Sequence, residues 1–390
     1  MDRPGVPSPL TRFGILVVSG GLVLVLALLY IAERLPNRDA GRATAHKTFA
    51  AELATHAGQA APTVVQAPTV EELGRAIVAA LAVLRDPHNP DKAGALAALR
   101  AAFAQADPKV AIAAIRQFLK TGQDGSTGLR FQVGDGGLLT EAPTLRTFLM
   151  DQLGSLSQGA QTADAAEVAK ETLSSMTSAD EWALAMRNLA WSDPDGSKPF
   201  LAEKVREMLN YAPWQQNPTG GYLEAFDVAA YSGDGSLAGD LASLTQTPSP
   251  LKQAALVALE RLSALAPAQM ADYLNANPGV LSSTPMLRAD YMGNLDLSDP
   301  MQDAEAETYL NRADVTEGEK VKFLARLATP AGFVSDNLLT PANTTTMTIF
   351  QHQAMVNQAA SGWLAAGSFP ALTAPLQALV QQTTPHAGGS

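Results

Sequence analysis

Five histidines, His46, His56, His88, His352 and His386, and no cysteine are all that this 390-residue chain offers for metal or thiolate chemistry. A zinc helix sets two histidines four residues apart with a glutamate between them, and no pair here has that spacing. Absent cysteine removes disulfides, thiolate metal sites and cysteine nucleophiles together. No serine stands in a Gly-x-Ser-x-Gly elbow, and Gly154-Ser155 falls at a helix end. Gly233-Asp234-Gly235-Ser236-Leu237-Ala238 has the glycine spacing of a dinucleotide-binding turn. It follows an alanine-rich helical segment ending at Tyr231 rather than an apolar strand, so an interhelical turn is expected, like those at Asp124-Gly125-Ser126 and Asp195-Gly196-Ser197. Asp193-Pro194-Asp195-Gly196-Ser197 begins like a calcium loop, but Lys198 and Lys204 occupy the positions that need glycine and a bidentate glutamate. Paired carboxylates (Glu71 with Glu72, Asp180 with Glu181, and Asp303 with Glu305 and Glu307) fall in first turns of helices, where they complement the helix dipole. No catalytic, metal-binding or cofactor-binding residue is assigned, no cofactor or small-molecule substrate is expected, and the chain reads as non-catalytic.

Aromatic residues carry the remaining signal. Trp182, Trp191, Tyr211, Trp214, Tyr222, Phe226 and Tyr231 gather in one third of a chain that is only 6% aromatic. Most of them are expected in a packed central core. The loop from Tyr211 to Pro218 is expected to present Trp214 as an anchor for a protein partner, with Tyr211 beside it and Arg187 and Asn188 as rim contacts. Nine residues apart, Trp182 and Trp191 lie on nearly opposite faces of one helix, so Trp191 is expected to close that helix against the next pair.

Composition bounds the partners. With 46% hydrophobic residues the chain can build a core. A net charge of -11, from 27 Lys plus Arg against 38 Asp plus Glu, argues against nucleic acid. The run from Phe13 to Ala32 has no charged residue and matches the ~20 residues that cross a bilayer as a helix. It is read as a transmembrane signal anchor over residues 13–35, with Phe13, Leu22, Leu26 and Tyr30 in the span. A cleaved signal would have a shorter apolar run and a prompt small-x-small site, whereas Glu33-Arg34 follow here and Ala43-Thr44-Ala45 lies well beyond. Arg34, Arg38, Arg42 and Lys47 after the span outnumber Arg3 and Arg12 before it, which by positive-inside would leave the body in the cytoplasm. A short tail before a single span is instead the form of an exported anchor, and a periplasmic or other extracytoplasmic body in a bacterial envelope is the reading taken.

The elements that must position these residues are helical. Thr69-Val70-Glu71-Glu72 is a capping box, and Leu73, Ile77, Leu81 and Leu84 follow at helical spacing. Leu96, Leu99 and Phe103 mark a second helix. Asp107 caps a third, with Pro108 in its first turn and Gly122 at its stop. The same grammar recurs to give about fourteen helices with short turns and alanine at packing positions, as stacked helix pairs require. One segment differs: Gly128 to Val133 alternates, Gly134-Asp135-Gly136-Gly137 turns, and Leu138 to Thr140 returns, a small β-hairpin near 128–140 inserted between helices.

Asp107-Pro108-Lys109-Val110, followed by Ala113, Ala114, Ile115 and Leu119, resembles the second half of a HEAT-type repeat. That resemblance, confined to residues 107–120, implies an all-α helical-hairpin array, an α-solenoid, with a scaffolding and protein-binding role. A globular helical bundle and a tetratricopeptide-like superhelix are the other architectures open to such a pattern. The expected organisation is a tail over 1–12, the span over 13–35, a stalk over 36–68, a helical-repeat body over 69–382 and a disordered tail over 383–390. The expected function is a membrane-anchored scaffold for protein–protein interaction at the membrane surface. Two alternatives stand beside it: an envelope hydrolase with dispersed Asp and Glu, and an accessory subunit held in a larger membrane complex by its span, for which Gly20-Gly21 would permit a close helix contact.

Overall fold

Thr69 opens the first helix as its capping box dictates. Its hydroxyl accepts from the Glu72 N–H at 3.3 Å, and its own N–H donates to the Glu72 carboxylate at 2.9 Å. Helix α1 (Val70–Arg85) then buries Leu73, Ile77, Leu81 and Leu84, the expected apolar stripe. Helix α2 (Lys92–Gln105) buries Leu96, Leu99 and Phe103, and α3 (Pro108–Leu119) starts with Asp107 accepting from the Lys109 N–H at 2.8 Å. These positions belong to a computed structural model that describes residues 67–160, 163–248, 250–329, 338–339 and 348–384. The apolar run at 13–35, nearly all of the stalk and residues 385–390 lie outside the described residues. Among the described residues no helix is long and apolar enough to cross a membrane.

After α3 come strands β1 (Gln132–Val133) and β2 (Leu139–Glu141), antiparallel with Gln132 opposite Glu141 and Val133 opposite Leu139 across a bulge. Gly136 and Gly137, with φ of +67° and +75°, make the turn. The hairpin is shorter than its alternation suggests: pairing is confined to Gln132–Val133 and Leu139–Glu141, and Gly128, at φ +79°, lies before it.

Helices α4 (Leu145–Ala160), α5 (Asp164–Thr172), α6 (Ala179–Ser192), α7 (Lys198–Leu209), α8 (Ala212–Gln216), α9 (Gly220–Glu224), α10 (Asp227–Ser232), α11 (Leu237–Leu244) and α12 (Leu251–Leu265) follow. The chain continues through α13 (Pro267–Ala276), α14 (Pro285–Met292), α15 (Pro300–Asn311), α16 (Glu317–Leu327), α17 (Ile349–Ala366) and α18 (Thr373–Thr383). Two differences from the expected elements share one cause. The alanine-rich helical segment ending at Tyr231 breaks into α9 and α10, and α11 begins at Leu237, inside the turn expected over Gly233 to Ala238. Each is eight residues or shorter, too few turns for a 3.6-residue period to stand out. Thr383, read as the start of a disordered tail, ends α18 and is buried.

Helices pack on consecutive neighbours, as α1 on α2, α5 on α6, α11 on α12 and α17 on α18, and on alternate ones. Helix α4 packs on α6, α10 on α12, α12 on α14, α13 on α15, α14 on α16 and α16 on α18. Stacked helix pairs produce this pattern, so the body is compatible with a helical-repeat fold. Helix α6 lies deepest: every residue from Glu181 to Ala190 is buried, as expected of a helix enclosed on all sides.

Buried His352 on α17 holds its Nε2 2.8 Å from the Leu327 carbonyl, joining α17 to the end of α16. Burial pushes its pKa below the ordinary histidine value, against the opposing effect of that hydrogen bond. The unfolded chain therefore binds the proton more readily, and stability is lost as pH falls through the unfolded histidine pKa of about 6.5. In denaturant titrations, His352→Gln is expected to lose less stability than the parent between about pH 7.5 and about pH 5.5. That comparison isolates His352 from Asp180, Glu224 and Asp303, whose pKa values are raised by burial and act with the opposite sign.

Candidate interaction site

The residues expected to greet a partner are largely turned inward. Tyr211 to Gln216 is not an open loop: α8 forms there and lays the half-buried Trp214 edge-on against Trp182 at 5.4 Å, Tyr211 at 5.1 Å and Tyr222 at 6.2 Å between ring centroids. Tyr222 continues the chain of rings to Phe226 at 5.4 Å. Such edge-to-face pairs add to simple burial, so this aromatic cluster ties α6 to α8 and α9.

Arg187 and Asn188, expected at the rim, are both buried, at 0% and 1% exposure, and cannot be rim contacts. Arg187 donates through Nη1 to Asp151 Oδ1 and to the Gly137 carbonyl, each at 2.7 Å, and through Nη2 to Asn188 Oδ1 at 3.0 Å. Asn188 in turn donates to the Met150 carbonyl at 2.9 Å, and Asp151 Oδ1 accepts the Leu139 N–H at 3.0 Å. The hairpin and α4 thus cover this face of α6. Burial drives the Arg187 pKa down, opposed by the charge and hydrogen bond of Asp151. Trp191, one turn on, lies under the guanidinium at 4.3 Å.

Similar pairs recur along the body. Arg146 on α4 grips Glu181 on α6 with two 2.8 Å bonds. Asp227 on α10 meets Arg261 on α12 at 3.0 Å, and Arg288 on α14 meets Glu319 on α16 at 2.7 and 3.1 Å. Tyr309 donates its hydroxyl to the same Glu319 at 2.6 Å. An arginine neutralises each of these carboxylates, so they serve the fold and are poorly suited to acid–base catalysis. Sequence reasoning missed them because the partners are far apart in the chain. A signal was present in Asp151, set among the apolar Leu149, Met150 and Leu153 of a predicted helix.

A different arrangement lies between α15 and α17. These helices do not pack closely on each other, and a groove of about 580 Å³ separates them. Asp303 and Glu307 line its α15 side, one turn apart. Helix α17 contributes Met355 and Trp363, with Ala354, Gln358, Gly362 and Ala366 repeating every fourth residue along the rim. No Lys, Arg or His is among the described residues that line it. Burial first, and then the charge of Glu307, raises the Asp303 pKa. Asp303 Oδ1 and Trp363 Nε1 are buried without hydrogen-bond partners among the described residues. The third acid of that run, Glu305, is already engaged, its carboxylate accepting from Asn275 Nδ2 at 2.6 Å. Of the three acids expected in a first turn only Asp303 lies there, because the helix starts at Pro300 and Glu305 and Glu307 fall further along it; Asp303 and Glu307 face the groove. The smaller groove of about 230 Å³ beside Arg146 contrasts with it, since Arg116 and Arg146 there already hold carboxylates.

Among the described residues no cluster of His, Asp and Glu could hold a metal ion. Comparison with protein-family models, with curated proteins and with solved structures gives no match.

Removing one partner of a buried ion pair strands the other charge. Arg187→Ala is therefore expected to cost about 3–5 kcal/mol of stability in denaturant unfolding. Replacing both charges, Asp151→Leu with Arg187→Met, is expected to recover much of that loss.

Proposed function

We propose that this chain is a membrane-anchored, non-catalytic helical-repeat scaffold that binds a partner protein through its body. The observation that carries the reading is the groove between α15 and α17, a surface recess lined by Asp303 and Glu307 with no Lys, Arg or His among its described lining residues. Membrane attachment rests on the uncharged run from Phe13 to Ala32, and an extracytoplasmic body on the short tail before it. A HEAT-type array is the finer form of the proposal. The Asp107-Pro108 start of α3 supports it, with Asp107 as cap and Pro108 in the first turn.

The hydrolase reading draws on the same groove, since it requires converging carboxylates in a cavity. Asp303 and Glu307 stand on one wall, one turn apart on α15, whereas two-carboxylate hydrolysis needs acids on either side of the scissile bond. That geometry favours binding over turnover.

A photo-crosslinking amino acid at Gln358, which lines the groove, tests the proposal in the native host against the same group at exposed Lys252 and at Val17 in the apolar run. A stoichiometric protein adduct from position 358 and none from 252 is expected. An adduct from position 17 alone would replace the scaffold with an accessory subunit held by its span. Absence of any adduct would return weight to an enzyme.

A further inference from the structure

Two polar atoms at the α15–α17 groove have complementary needs. Trp363 is 3% exposed and its indole Nε1–H, a donor only, has no acceptor among the described residues. Asp303 Oδ1, an acceptor when ionised, has no donor, and Glu307 adds a second negative charge one turn away. A buried polar group left unpaired is costly, so an occupant that satisfied both atoms would gain more than its apolar contact alone. It must bring positive charge for the α15 wall and a hydrogen-bond acceptor for Trp363. It also needs an apolar body to lie on Met355, where Gly362 and the rim alanines leave room for close approach.

An extended basic peptide meets all three conditions. Its carbonyls are free along its length, unlike those inside a helix. Alternate side chains point to the same face about 6.6 Å apart, close to the ~5–6 Å that separates side-chain positions one turn apart on a helix. We infer that this groove binds an extended segment of a partner protein in which two lysines or arginines, separated by one residue, meet Asp303 and Glu307 while a backbone carbonyl accepts from Trp363. The inference rests on the scaffold reading and names the chemistry of its partner. A free polyamine would supply the charges but no carbonyl, and a neutral peptide the carbonyl but no charge.

The test uses the full-length protein in mild detergent and three probes: acetyl-Ala-Lys-Leu-Lys-Ala-amide, its counterpart with both lysines replaced by glutamine, and spermidine. The readout is the indole 1H–15N resonance of Trp363, assigned with Trp363→Phe; the indoles of Trp182, Trp191 and Trp214 report whether each variant stays folded. The lysine peptide is expected to shift the Trp363 signal saturably and to bind at least about tenfold more tightly than the glutamine peptide, with affinity falling as salt rises. Asp303→Asn with Glu307→Gln is expected to abolish that preference while the other three indoles stay in place. Equal binding of both peptides, or no shift with either, would overturn the inference, and an equal shift with spermidine would make the groove a small-cation site. Partner crosslinks from position 358 with no response to the lysine peptide would leave the scaffold standing and sink this partner chemistry. If both fail, the scaffold reading falls as well.

Discussion

Alternate helices of this body are tied by arginine–carboxylate pairs that are buried or, for Arg146 with Glu181, part-buried, and removing one member of a buried pair strands the other charge. Arg146 with Glu181, Asp151 with Arg187, Asp227 with Arg261 and Arg288 with Glu319 are separated by 35, 36, 34 and 31 residues respectively. That spacing is about one helix pair, so each bond joins a helix to the next-but-one. Leucine and alanine faces are permissive, since one such surface fits many others with little loss. A buried arginine is not permissive: a slip to another register would leave it desolvated and uncompensated. Hydrophobic burial supplies the driving force, while the ion pairs penalise arrangements that would separate the two partners.

The hairpin takes its place within that constraint. It looks dispensable from its sequence, yet the Gly137 carbonyl and the Leu139 N–H close the coordination of Arg187 and Asp151. Phe131, just before β1, packs where α9 begins: a Cβ on Gly220 would come within 2.8 Å of the Phe131 Cβ. A Cβ on Gly221 would come within 2.6 Å of the Asp180 Cα, while the Gly221 N–H donates to Asp180 Oδ1 at 2.8 Å. A short insertion thus seals the deepest helix, α6, and brings α9 close to its first turn. The acid at Asp180 does more than complement a helix dipole, because it receives the neighbouring helix.

Legibility in the sequence followed the range of the interaction. Helices α1 to α3 were legible because caps, prolines and apolar periods act within a few residues, and Thr69, Asp107 and Leu73 to Leu84 stand where those rules put them. The all-α class and the hairpin turn at Gly136 were legible for the same reason. Arg187 and Asn188 were misplaced because a polar residue on a helix is assigned to solvent unless its partner is known, and Asp151 lies 36 residues away. Trp214 was given to the surface because the aromatic neighbours that hold it, Trp182 and Tyr222, sit on two other helices. At the groove, the run Asp303, Glu305, Glu307 showed acids early in a helix but not which of them face another element. That division depends on where α13 and α17 come to rest.

The groove follows from the partners that α17 takes. Helix α17 is anchored through α18, which packs on α16, and through His352, which meets the last turn of α16. It is therefore tied to α16 and α18 rather than to α15, and a groove separates α15 from α17. At the far end of α17, Gly367 in the left-handed conformation turns the chain so that Phe369 packs edge-on to Trp363 at 5.8 Å. The indole is thereby fixed by its apolar ring while its N–H is left without a partner. Each unpaired buried group costs the folded state about 1–3 kcal/mol. Apolar side chains at 303 and 363 would avoid that cost with no loss to the ion-pair ladder, which runs through other residues. Among the described residues nothing pairs with these two atoms; a ligand that pairs with both would offset the cost.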